Sequence, residues 1–115
     1  MKNLSVQLKY VSSIIRLFTD LEEDLTNAGS ILVVVYFHAE WNRACHTITH
    51  VIKELEGDYS DVMFLRADVD EAEDVAGKYE IYEMPTFRFF RYGTLINELT
   101  GDNTTQLKHF VDTLR

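Results

Sequence analysis

The chain has 115 residues, the length of one domain able to bury a core without disulfide or metal staples. Nineteen acidic against eleven basic side chains give a net charge of −8 at pH 7, a field that repels nucleic acid and anionic membrane and favours solubility or basic partners. A single cysteine excludes any intramolecular disulfide, so nothing in the chain calls for an oxidising compartment, and no apolar run approaches the ~20 residues of a membrane-spanning helix.

The charge is unevenly placed. Residues 1–19 contain Lys2, Lys9 and Arg16 and no acid, so residues 20–115 hold all 19 acids and the other 8 bases, a balance of −11. The N-terminus lacks the apolar stretch and small-residue cleavage site of a signal peptide. Its bases and Ser5, Ser12 and Ser13 faintly suggest a transit peptide. Ile14, Ile15 and Leu17 read instead as the first strand of the domain, which cleavage there would damage. Residues 1–12 are expected as an N-terminal extension, residues 13–115 as the domain, and the cytoplasm as the location.

In chain order, Ser13 to Leu17 reads as a short strand. Thr19 is placed to cap a helix, with Glu22 three residues on to complete a capping box; the helix runs through Leu21 and Leu25 and stops near Gly29. Ile31–Phe37 is almost wholly apolar, the mark of a central strand buried on both faces. From Ala44 to Glu56, Cys45, Ile48, Ile52 and Leu55 keep helical spacing, and Gly57 and Asp58 end the helix. Val62–Leu65 is a second buried strand, and Glu71–Tyr79 a short acidic helix. Thr86–Phe90 and Leu95–Leu99 form a hairpin around Arg91-Tyr92-Gly93. Gly101-Asp102-Asn103 leads into a last helix with Leu107, Phe110, Val111 and Leu114 on one face. The Asn103-Thr104-Thr105 sequon carries no weight without a secretory signal. The order β-α-β-α-β-α-β-β-α implies an α/β domain: a mixed sheet with helices on both faces.

The chemistry concentrates at Trp41-Asn42-Arg43-Ala44-Cys45, between the central strand and the next helix. Strand, short turn and helix N-terminus is where a redox Cys-x-x-Cys pair sits. Here Asn42 holds the first position and Cys45 the second. Dithiol–disulfide exchange needs one thiol to attack and another to resolve the mixed disulfide, and Cys45 alone has no intramolecular route to the second step. It lies three residues into the helix, on the face of Ile48 and Ile52. It is therefore expected to be partly buried, with a pKa near or above the ordinary ~8.5. Asn42 is expected as a neutral N-cap. Met84-Pro85-Thr86 contains the only proline, at a position compatible with a cis bond.

Three further features invite chemistry and read better as structure. His46 and His50 are four apart on a helix, but two ligands make a poor metal site; His38, at the end of the central strand, is expected to be packed and hydrogen-bonded. Asp68 to Asp74 resembles half a calcium loop but lacks its glycine and terminal glutamate, so it is read as helix N-terminal acids on a solvated face. Phe87-Arg-Phe-Phe-Arg-Tyr92 mixes bases with aromatics as some nucleic-acid surfaces do. The net charge favours core and edge packing. No metal and no cofactor are expected.

Taken together, Leu-Val-Val-Val-Tyr-Phe-His-Ala-Glu-Trp before the turn, Phe-Leu-Arg-Ala-Asp-Val-Asp in the middle, and Met-Pro-Thr-Phe-Arg-Phe-Phe-Arg-Tyr-Gly near the end make residues 13–115 resemble the thioredoxin family, in its animal cytosolic style. The resemblance implies the thioredoxin fold, a central mixed sheet flanked by four α-helices, with Pro85 cis and facing the turn near Cys45. It places the family's attacking cysteine on Asn42, its resolving cysteine on Cys45, and its Gly-Pro on Arg43-Ala44. The buried aspartate that assists proton transfer falls on Tyr36, the lysine after the motif on His46, and the helix-kinking proline on His50. The active-site motif is thus degenerate. The family's groove for extended partner segments falls on Trp41, Arg43, Met84, Pro85, Gly101 and Asp102, where Arg43 and Asp102 change partner choice rather than abolish docking.

The resulting expectation is a thioredoxin-like protein without dithiol–disulfide oxidoreductase activity. It would act in redox homeostasis as a protein-interaction or regulatory module, a monomer or weak dimer that docks an extended protein segment and binds neither nucleic acid nor membrane. The alternative is a monothiol redox protein forming mixed disulfides through Cys45; a third reading is an evolutionary relic with structural stability alone.

Overall fold

A computed structural model describes residues 13–115; the proposed extension over residues 1–12 lies outside the described residues. The elements are β1 (Ser13–Ile14), α1 (Phe18–Ala28), β2 (Leu32–His38), α2 (Arg43–Asp58), β3 (Val62–Asp68), α3 (Glu73–Lys78), β4 (Thr86–Arg91), β5 (Thr94–Thr100) and α4 (Thr104–Leu114). The sheet order is β1-β3-β2-β4-β5. β1 and β2 run parallel to β3, β4 antiparallel to β2, and β5 antiparallel to β4. This is the thioredoxin fold, a mixed sheet with four helices.

β2 explains its own composition. It is the middle strand, and alternate side chains enter opposite cores. Val33, Val35 and Phe37 pack with Leu21, Leu25 and Val75 from α1 and α3. Leu32, Val34 and Tyr36 pack with Ile48, Ile52, Leu107 and Val111 from α2 and α4. A strand with a helix layer on each side has no solvent face, so a period-2 polar pattern is absent. Burying each such aliphatic side chain stabilises the fold by about 1.5–3 kcal/mol. β4 follows the same rule: Phe87, Phe89 and Phe90 are buried, so the aromatic stretch Phe87–Tyr92 is core packing, with Tyr92 exposed at its end.

Several boundaries differ from the sequence reading. The first strand ends at Ile14, because Ile15 N–H donates to the Arg66 carbonyl (2.6 Å) and the chain then turns into α1. That helix is capped at Leu17, not Thr19: the Asp20 carboxylate, rather than Glu22, reaches back to accept from the Leu17 N–H (3.0 Å). α2 runs through Gly57 and ends with Tyr59 N–H donating to the Leu55 carbonyl (2.8 Å). The acidic helix begins at Glu73 rather than Glu71, since the N–H groups of Glu71 and Ala72 both donate to the Asp68 carbonyl in a tight turn. Arg91 belongs to β4, so the hairpin turn is Tyr92-Gly93, both with positive φ (54° and 73°); this is the twist that joins two antiparallel strands through two residues. Asn103 of the sequon accepts from Gln106 N–H (3.0 Å) and caps α4.

Candidate functional site

Three loops converge beyond the C-terminal end of β2. The first carries Ala39–Asn42, the second Tyr82–Pro85, the third Gly101–Asn103. Two hydrogen bonds tie them. Asn42 Nδ2 donates to the Met84 carbonyl (3.2 Å), and Gly101 N–H donates to the Pro85 carbonyl (2.8 Å). The Met84–Pro85 peptide is cis. Trp41, Met84, Pro85 and Gly101 are thereby drawn to one end of the sheet. Asp102 and Arg43 are exposed, Arg43 as the first residue of α2.

Asn42 does two jobs. Its Oδ1 accepts from Cys45 N–H (3.1 Å), capping α2, while its Nδ2 makes the bond to Met84. A side-chain cap stabilises a helix by about 1 kcal/mol. The helix N-terminus, which favours a developing negative charge, is thus satisfied by a neutral amide.

Cys45 is more deeply buried than the sequence suggests, at 2% exposure. Burial pushes its thiol above the ordinary value, with a smaller contribution from the Asp68 charge in the same direction; hydrogen bonding at the Ala39 backbone and Tyr36 opposes it. A raised pKa leaves the group a thiol, and the thiolate is the nucleophile. The phenol beside it does not offer a base. Tyr36 is buried, stacks on Phe87 (ring centroids 5.1 Å apart), and donates its phenolic O–H to the Cys45 carbonyl (3.0 Å), with Thr49 Oγ1 3.2 Å away. Burial also drives the Tyr36 pKa upward, so the phenol stays protonated. Thr49 donates to the same carbonyl (2.8 Å).

The histidines separate. His38 is half-buried with its ring on Tyr36 (5.0 Å), and burial lowers its pKa; Asp68 acts in the opposite sense. Among the described residues this ring contact stands in place of the expected side-chain hydrogen bond. His46 Nε2 lies 2.6 Å from the Glu40 carbonyl, and His50 is exposed on α2. Among the described residues no three His, Cys, Asp or Glu side chains are grouped to hold a metal ion.

Two features escaped the sequence reading. Tyr82 is 82% exposed, two residues before Met84; a loop has no periodicity to mark which side chains face water. The acidic stretch is also divided. Glu73 and Asp74 lie in the first turn of α3 as expected, but Asp68, Asp70 and Glu71 line a cleft with Glu40, Trp41 and His46. Asp70 accepts from the Trp41 indole N–H (2.9 Å), fixing a ring that is 67% exposed. The turn at Asp68 reverses the chain and aims these acids at Trp41, which their position in a row does not reveal.

A family model described as Thioredoxin matches residues 17–113. The thioredoxin of Ovis aries is 41% identical over 93 residues, covering 81% of this chain and 89% of its own length. That of Homo sapiens is 41% identical over 96 residues, covering 84% and 91%. Among solved structures, Fasciola hepatica thioredoxin superposes with a TM-score of 0.88 at 30% identity, covering 90% of this chain and 99% of the other. Schistosoma mansoni thioredoxin gives 0.87 at 32% identity, covering 93% and 98%. No described helix is long and apolar enough to cross a membrane.

Proposed function

The chain belongs to the thioredoxin family, and from that premise we propose that it is a member without dithiol–disulfide exchange, acting as a protein-interaction or regulatory module through the surface around Trp41 and Pro85. The observation that carries this reading is the pairing of Asn42 with a buried Cys45. The position for an attacking thiol holds an amide already committed to two hydrogen bonds. The remaining sulfur is a core atom with a raised pKa, beside a phenol that stays protonated. What is retained is the scaffold of the groove: the exposed indole, the cis peptide at Pro85 and the bonds joining the three loops. Specificity is a difference of affinities, and exposed Trp41, Arg43, Tyr82 and Asp102 alter what the groove prefers. A reducing, cytoplasmic setting suits a chain with one thiol.

Turnover of insulin disulfides by the chain and by Asn42→Cys tests the reading. The chain is expected to give no catalytic precipitation above the dithiothreitol background. Asn42→Cys, which restores a Cys-x-x-Cys spacing at a helix N-terminus, is expected to gain it. Turnover by the unmodified chain at the rate of a dithiol thioredoxin refutes the proposal. The competing monothiol reading needs an exposed, acidic Cys45, and the burial of this residue weighs against it.

A further inference from the structure

The surface beside Trp41 has a charge as well as a shape, and the charge selects the occupant. Glu40, Asp68, Asp70 and Glu71 line the cleft with Trp41 and His46, and among the described residues neither Lys nor Arg lines it. The indole stands out of this acidic setting at 67% exposure, held in one orientation by its bond to Asp70. A rigid, exposed tryptophan is the kind of side chain that dominates binding energy at interfaces. Asn42, bonded to the Met84 carbonyl, brings the Tyr82–Pro85 loop alongside, so the apolar ground continues from Trp41 towards Met84. The ring nitrogen of His46 in the lining is engaged with the Glu40 carbonyl. An acidic or phosphorylated segment laid on Trp41 meets like charge from four carboxylates, whereas a basic one finds complementary charge. The net charge of −8 steers long-range encounter in the same direction.

We propose that the segment docked on Trp41 is an extended, Lys/Arg-rich stretch of a partner protein, with an apolar side chain against the indole and its cations turned to Glu40, Asp68, Asp70 and Glu71. This rests on the docking reading above and adds the chemistry of the partner. Attraction between exposed charges is screened within about a Debye length, so the preference belongs to low and physiological ionic strength.

Trp41 is the only tryptophan in the chain, so fluorescence excited selectively at the indole reports this surface. The full chain is titrated with three short peptides sharing one apolar centre, flanked by Lys/Arg, by Ser/Gln, or by Glu. The basic peptide is expected to shift Trp41 emission and to bind roughly tenfold more tightly than the neutral one. That advantage should vanish at high salt and shrink in the Glu40→Gln/Glu71→Gln variant, which removes two of the four carboxylates. This variant leaves the Asp70–Trp41 bond in place, and an unchanged urea midpoint confirms its fold. Equal binding of basic and neutral peptides overturns the charge assignment and leaves the groove reading standing. Tighter binding of the Glu-flanked peptide likewise overturns the assignment. Silence with all three peptides overturns both.

Discussion

At the scale of single residues, Asn42 decides the character of the site. Its amide faces two ways, towards Cys45 N–H and towards the Met84 carbonyl, and substitutions can separate the two. Asn42→Ala loses both and is expected to lower stability by roughly 1–2 kcal/mol, a cap plus a net hydrogen bond. Asn42→Asp keeps the acceptor, adds a charge the helix N-terminus favours, and loses only the donor to Met84. Its urea midpoint should fall between those of Asn42→Ala and the unmodified chain. A midpoint for Asn42→Ala equal to that of the unmodified chain contradicts the assigned role. The cap was legible in the sequence because asparagine before an amphipathic helix is a local signal. The bond to Met84 was not, since it spans 42 residues of chain. Cys45 shows the same division: its helical face was readable from Ile48 and Ile52, but its near-complete burial required knowing that Tyr36 and Thr49 close over its backbone.

At the scale of elements, β2 and α2 set the frame, and turns set the boundaries. β2 was legible because seven successive residues with almost no polar member fit only a strand covered on both faces. α2 was legible from its spacing, and Ile52 sits fully buried among β2, β3 and β4 residues. Ile52→Ala is expected to cost about 2–5 kcal/mol, the loss of transfer energy plus an unfilled cavity, measured by urea unfolding. Less than 1 kcal/mol is incompatible with that packing. The β4–β5 turn offers the opposite sign. Tyr92 holds a left-handed φ of 54° without being glycine or asparagine, a conformation that costs about 1–3 kcal/mol for most residues. Tyr92→Asn produces the favoured Asn-Gly hairpin pair and should raise the melting temperature; a lowered one argues against strain at this turn. The start of α1 departs from the sequence expectation for a local reason. Thr19 with Glu22 and Leu17 with Asp20 offer competing helix starts, and the choice is made by where β1 leaves the sheet, which no window of sequence contains.

At the scale of the whole molecule, charge and burial give pH dependences of opposite sense. His38 is half-buried, chiefly by desolvation holding its pKa below the usual 6.5, with Arg66 acting in the same sense and Asp68, Glu71 and Glu40 opposing. Between 6.5 and the lower folded value the unfolded chain binds the proton more readily, so stability falls as pH drops through this window. His38→Gln is expected to flatten that part of the curve; an unchanged slope means His38 titrates as it does in the unfolded chain. Cys45 acts at the other end. Its folded pKa is raised, so its contribution is complete below the unfolded thiol value of ~8.5 and is lost as pH climbs towards the folded one. The overall topology was legible from the order of apolar segments and from the resemblance at three separated motifs. The acidic wall beside Trp41 was not, because residues 68–71 and residue 40 meet only when parallel β2 and β3 end side by side, His38 opposite Asp68.

The one remaining sulfur is a packed core atom rather than a reagent. The rate of Cys45 alkylation by iodoacetamide in the native protein, followed from pH 5 to 10 beside the urea-unfolded chain, tests it most directly. A native rate far below the unfolded one and an apparent pKa above that of a free thiol are expected. Rapid native alkylation with an apparent pKa below 7 contradicts it: the start of α2 then still activates sulfur, and Cys45 works as a monothiol.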